Sequence, residues 1–193
     1  MQNALKAALV VFVLTIPATL AAQDIDAGID AYHRGDFASA LIEFKPLAEQ
    51  GDAKAQSSLG YMYSAGQGVA QDFAAAAMWF REAAEQGSRS AQANLGALYG
   101  KGQGVPQDYA EAVKWTRMGA NRGYAQAQSN LGQAYKNGRG VPYDYVQAHM
   151  WFSLAAVQGN GSAAKFRDEL ARRMTSEQIS EAQKRTGEWR PLK

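Results

Sequence analysis

Residues 86–121 read QGSRSAQANLGALYGKGQGVPQDYAEAVKWTRMGAN, and the same pattern stands directly before and directly after this stretch. Gly51, Gly87, Gly123 and Gly159 follow one another at intervals of 36 residues. Leu59/Leu95/Leu131, Gly60/Gly96/Gly132, Tyr63/Tyr99/Tyr135, Asp72/Asp108/Asp144 and Trp79/Trp115/Trp151 keep the same interval. A period of this size is the signature of stacked supersecondary units, each unable to bury its apolar face alone.

The unit reads as two helices and a glycine-rich loop. Ala91, Leu95, Gly96 and Tyr99 fall at helical spacing on one face, which predicts a first helix with a narrow apolar stripe. Gly96 stands inside that helix at a penalty of about 1 kcal/mol against alanine. Its recurrence in three copies points to a close helix–helix contact. Residues 101–107, KGQGVPQ, break the helix: the glycine pair tolerates positive φ and Pro106 cannot continue a helix. Asp108 then restarts the chain as an N-cap, and Glu111 three residues on predicts a reciprocal capping box, repeated by Asp144 with Gln147; Asp72 keeps only the cap. Behind each cap, small residues and aromatics share a face: Ala76, Trp79, Phe80 and Ala83; Ala112, Trp115, Gly119 and Ala120; Ala148, Trp151, Phe152 and Ala155. The expected architecture is all-α, a right-handed superhelix (solenoid) of helix–loop–helix repeats whose stripes merge into one core.

The string A-x-A-Q-x-x-L-G-x-x-Y-x-x-G-x-G-V-P-x-D-Y-x-x-A-x-x-W, as it stands from Ala91 to Trp115, resembles the Sel-one-like repeat (SLR), a longer-looped relative of the tetratricopeptide repeat. Three copies carry it, over Gly51 to Gln158. Ala70 replaces the loop proline in the first copy, and Thr116 replaces the aromatic that follows the tryptophan in the others, which weakens local packing. The resemblance implies an adaptor that binds other proteins, without catalysis of its own.

In chain order, residues 1–22 have the layout of a secretory signal peptide: one early charge (Lys6), an apolar run over 7–16, then Pro17 and small residues, with cleavage after Ala21 or Ala22. That run is too short for a membrane span, which needs about 20 residues. Residues 23–50 form a capping hairpin, turned at Arg34-Gly35, restarted by Asp36 and kinked at Pro46. Repeats then occupy 51–86, 87–122 and 123–158. Residues 159–193 supply C-terminal capping helices, with Thr175 and Gln178 as another capping box and Trp189 and Leu192 folding back on the last repeat.

The chain of 193 residues is 47% hydrophobic with a formal charge of +2. Its basic pairs, Arg172-Arg173 and Lys184-Arg185, are too sparse for nucleic acid or an anionic membrane. It has no cysteine, which excludes disulfides and thiolate chemistry and fits export to a bacterial periplasm or beyond the cell.

Catalytic, cofactor and metal sites are not expected. The aspartate row is explained by capping. One repeat separates each carboxylate from the next, too far for acid–base pairing. His33 and His149 stand alone and read as surface or half-buried side chains. The Gly-x-Gly loops follow helices and lack Gly-Lys-Ser/Thr, so they are turns and not phosphate loops. Ser162 to Lys165 matches S-x-x-K, with Arg185-Thr186-Gly187 a distant echo of K-T-G, but no predicted strand exists to hold the second motif.

The candidate site is the inner face. By analogy with tetratricopeptide stacks, the first helix of each pair lines it, which selects Lys54, Ser57 and Tyr61, then Asn94, Ala97 and Lys101, then Asn130, Gln133 and Asn137. Amides suit an extended peptide because each offers a donor and an acceptor. Tyr61 reads as the exposed aromatic anchor. The expected partner is a protein or peptide.

Overall fold

A computed structural model describes residues 24–192, so the proposed signal segment lies outside the described residues. Ten helices follow one another, and no strand occurs among the described residues. The capping hairpin is α1 (Ile25–His33) and α2 (Phe37–Glu49). The repeats are α3 (Ala53–Ala65) with α4 (Phe73–Glu85), α5 (Arg89–Lys101) with α6 (Tyr109–Asn121), and α7 (Ala125–Asn137) with α8 (Tyr145–Val157). The chain ends in α9 (Gly161–Ala171) and α10 (Ser176–Glu188).

Each boundary has a local cause. The carboxylates of Asp36, Asp52, Asp72, Asp108 and Asp144 accept from free backbone N–H groups at the starts of α2, α3, α4, α6 and α8, neutralising donors that the helix cannot satisfy internally. The reciprocal boxes predicted at Asp108 and Asp144 do not form. Glu111 instead accepts from Lys114 Nζ at 2.8 Å and Trp115 Nε1 at 3.1 Å, so a full charge and an indole outcompete the cap's own N–H. The box at Thr175 and Gln178 does form. Helix α2 runs unbroken through Pro46 as far as Glu49.

Every first helix of a repeat packs against its own second helix and against the helix before it. In addition α5 touches both α3 and α7, so the first helices form the inner row and the second helices the outer one. The core is continuous across units. Leu95 and Leu98 of α5 pack with Phe80 of α4 and Trp115 of α6, while Val113 of α6 packs with Leu131 of α7 and Trp151 of α8. Close contact at the helical glycines is borne out: a Cβ on Gly60 would meet the Phe80 ring at 2.5 Å, and one on Gly132 the Phe152 ring at 2.7 Å.

A buried glutamine stitches each unit to the one before. Nε2 of Gln56, Gln92 and Gln128 donates to the carbonyls of Ala48, Ala84 and Ala120 respectively, in the last turn of the preceding helix. Gln86 and Gln158 in turn donate to Oε1 of Gln56 and Gln128. The middle unit has Arg122 at that register, which donates to the Gly87 carbonyl, and Gln92 Oε1 is left without a partner.

The C-terminal tail does fold back. Trp189 stands edge-on to Trp151, with ring centroids 6.3 Å apart. Leu192 docks through its backbone, its N–H donating to the Asn121 carbonyl at 2.8 Å, and its side chain stays exposed.

Candidate functional site

The inner groove is assembled by three helices. Its walls are α5 and α7 and its floor is α6. Between them lies an open cavity of about 210 Å³ lined by Ala97, Lys101, Asn130, Gln133 and Asn137 together with Gly96, Gly100, Tyr109, Ala112, Val113, Thr116, Ala134 and Arg139. Five of the nine residues selected from the sequence therefore meet at one place. Lys54 is exposed on α3 outside this cavity. Ser57 is buried, its hydroxyl 3.3 Å from that of Ser90.

Tyr61 differs from the expectation of an exposed anchor. It is half-buried, and its ring stands perpendicular to Phe80 at 5.3 Å between centroids. Its hydroxyl accepts from Asn94 Nδ2 at 2.7 Å, and Asn94 Nδ2 also donates to the Ser90 carbonyl. The Tyr124 phenol lies against the same hydroxyl; its pKa is pushed up to about 12, by burial first and by Tyr61 second. Tyr124 is also the N-terminal flanking residue of α7 and makes no capping bond there, where Asp52 and Ser88 cap the equivalent helices. Tyr61 is thus a strut between three units. Asn94 and Asn130 do not serve loop backbone groups: Asn130 Oδ1 accepts from Gln126 Nε2 within α7.

Thr116 explains why the cavity is here. In the first and third repeats the equivalent residues, Phe80 and Phe152, fill the space over the helical glycine. With threonine in that place, the backbone of α6 itself closes on α5: a Cβ on Gly96 would lie 2.8 Å from the Ala112 carbonyl oxygen and would overlap Thr116 Oγ1. The helices draw together, and the space an aromatic would fill on the groove side stays open. Ala97 and Gly100 widen it, since the matching residues are Tyr61 and Ser64 in the first repeat and Gln133 and Lys136 in the third.

The cavity's charge is one-signed. Lys101 and Arg139 are exposed at its rim, the Arg139 guanidinium 5.5 Å from the centre of the Tyr109 ring, and no carboxylate lines it.

The histidines separate. His33 is exposed, whereas His149 is 5% exposed, against the expectation of a surface or half-buried side chain. Helices α9 and α10 close over it. Burial, and then the nearby Arg167 charge, hold its pKa below 6.5. Ser153 Oγ lies 3.4 Å from His149 Nδ1, but Asp168 is engaged by Arg167 at 2.8 Å, so the three do not form a relay. Ser162 and Lys165 of the S-x-x-K string are both exposed on α9.

The Sel1 repeat pattern matches residues 53–88, 89–124 and 125–160, more than half of the chain. Each match begins two residues after the unit counted from its leading glycine. Among solved structures, the chain is similar to a protective antigen present in uropathogenic Escherichia coli strains that displays an SLR fold. The identity is 36% with a TM-score of 0.73, over 84% of this chain and 37% of that one. It is also similar to a Sel1 repeat protein from Oxalobacter formigenes at 33% identity and a TM-score of 0.69, over 75% of this chain and 59% of that one. The chain thus spans less than two thirds of both. No match is found among curated proteins. Proteins with these repeats are generally interaction scaffolds and not catalysts. With the repeat pattern in three consecutive copies and the all-α solenoid that it specifies, this chain belongs to the Sel1 repeat family.

Proposed function

We propose that this protein is a non-catalytic scaffold of the bacterial envelope, periplasmic or secreted, that holds a partner protein or peptide in the groove between α5 and α7. The observation that carries the reading is the convergence of Ala97, Lys101, Asn130, Gln133 and Asn137 on one open, cationic cavity of the inner row. Amide side chains at regular helical spacing match the alternating donors and acceptors of an extended backbone. The address rests on the signal-like layout of residues 1–22 and the absence of cysteine. A secreted protein acting on a host is the second reading, favoured by the likeness to a protective antigen.

A photo-crosslinking residue at Gln133 in the full chain, expressed in its native cell, tests both parts. Adducts are expected from position 133 and not from the outward-facing Met78, which is 49% exposed on α4. They are expected in the periplasmic or culture fraction, on a chain that begins at Ala22 or Gln23. Equal adducts from both positions, or adducts only in the cytosol with Met1 retained, would reject it.

A further inference from the structure

The first repeat contains its own answer to what fills such a groove. There, the Tyr61 ring lies edge-on to Phe80 and its hydroxyl accepts from Asn94, an amide 33 residues further on in the next repeat's first helix. One unit later the amide is present as Asn130, but the aromatic pair is absent: Ala97 stands at the Tyr61 register and Thr116 at the Phe80 register. Asn130 uses its Oδ1 within α7, and its Nδ2 has no partner among the described residues. The middle groove therefore keeps the receptor for a tyrosine and lacks the tyrosine.

We propose that this cavity takes a tyrosine side chain from an extended segment of the partner, its ring against Thr116 and Ala97 and its hydroxyl accepting from Asn130 Nδ2, with acidic residues beside it meeting Lys101 and Arg139. The volume is sufficient: an apolar cavity of about 150 Å³ admits benzene, and this one measures about 210 Å³. The apolar patch of Ala112, Val113 and Ala134 suits the ring, and the amide suits the phenol oxygen, a pairing that buried tyrosines usually require. Two rim cations with no lining carboxylate select an anionic neighbourhood over a basic one. The inference rests on the scaffold reading and names its partner's chemistry.

The probe is acetyl-Asp-Tyr-Asp-amide, titrated into the full mature chain and followed by amide NMR shifts. Shifts are expected at Ala97, Thr116, Asn130 and Gln133. Acetyl-Asp-Ala-Asp-amide is expected not to bind, and acetyl-Lys-Tyr-Lys-amide to bind at least fivefold more weakly. Ala97→Tyr fills the cavity from within, in the register that Tyr61 occupies one repeat earlier with Asn94 as its amide partner, and is expected to weaken the probe at least tenfold. Asn130→Ala, which leaves the cavity open, is expected to weaken it about fivefold, the worth of one hydrogen bond. Undiminished binding by both variants overturns the proposal, as do shifts confined to another surface. A concentration-dependent dimer abolished by Ala97→Tyr would place a second copy in the groove and overturn it equally. If the Gln133 crosslink forms while the probe does not bind the native chain, the scaffold reading stands and only the tyrosine assignment falls.

Discussion

Gly138 and Gly140 lie two residues apart in one loop, with φ of +63° and +71°, and replacing each by alanine separates two effects that are otherwise confounded. Left-handed backbone disfavours alanine by about 1–2 kcal/mol, partly offset by the roughly 0.4–1 kcal/mol that alanine gains by restricting the unfolded chain. At Gly138 that is all, because a Cβ there meets Tyr143 only at ordinary van der Waals distance, its Cβ at 3.5 Å and its backbone N at 3.6 Å. A loss of about 1 kcal/mol follows. At Gly140 the new Cβ would overlap the Tyr109 carbonyl oxygen and lie 2.5 Å from its carbon. That carbonyl belongs to the first residue of α6 and cannot swing away, so the loop must lift. Lifting removes Val141 from its packing near Leu131 and Trp151, about 1–2 kcal/mol for a half-buried valine. It also draws Arg139 off the Tyr109 ring, about 0.5–1 kcal/mol. Gly140→Ala is expected to lose about 2.5–4 kcal/mol in total, against about 1 for Gly138→Ala. Urea unfolding, followed by far-ultraviolet circular dichroism and tryptophan fluorescence, measures both. Losses equal within about 0.5 kcal/mol would refute the idea that the loop docks one repeat onto the next.

Four further outcomes are expected. Tyr61→Phe, which removes the hydroxyl between Asn94 and Tyr124, should destabilise the fold by about 1 kcal/mol. Because folding raises the Tyr124 pKa from 10.0 to about 12, stability is full below pH 10 and is lost between pH 10 and 12; Tyr124→Phe should flatten that decline, and parallel curves would contradict it. His149 has the opposite sign: its folded pKa lies below 6.5, so its contribution is present above pH 6.5 and lost on acidification. The urea midpoint of the native chain should therefore fall relative to that of His149→Gln from pH 7.5 to pH 5.5, and an unchanged gap would remove the argument. Gln128→Leu strips two hydrogen bonds, the one to the Ala120 carbonyl, which keeps the Gly123 N–H, and the one from Gln158, a loss of about 1–3 kcal/mol. Gln92→Leu should lose about 1 kcal/mol less, since its Oε1 is already unpartnered, and the reverse order would show the ladder to be incidental.

The repeat made the helical architecture legible because the same contacts recur: caps at Asp72, Asp108 and Asp144, small residues where helices touch, and glycines where loops turn. Part of the groove was readable for the same reason, since Ala97, Lys101, Asn130, Gln133 and Asn137 follow from register once the tetratricopeptide analogy assigns the first helices to the inner face. What escaped lies where one unit departs from the others or where the repeat ends. Tyr61 looks exposed on its own helix and becomes a strut only because Asn94 and Tyr124 arrive from the next two units. Thr116 reads as a packing defect, yet α6 moves in on Gly96 and relocates the missing volume to the groove. His149 occupies an outer register, and its cover includes α10, which packs on α8 and has no counterpart among the earlier units. Glu111 sat at the right distance for a capping box, but periodic spacing is blind to the competition from Lys114 and Trp115.

The returning tail changes how this stack can come apart. A row of repeats ordinarily frays from its free end, one unit at a time. Here Trp189 rests on α8 while Leu192 is tethered to the carbonyl of Asn121, at the close of the preceding repeat. The last hairpin is buckled under a strap anchored upstream of it, so peeling it away requires releasing the middle unit's hold as well. Amide hydrogens of α8 should then exchange at rates approaching those of α6, and faster than that only at α1 and α2 among the described residues.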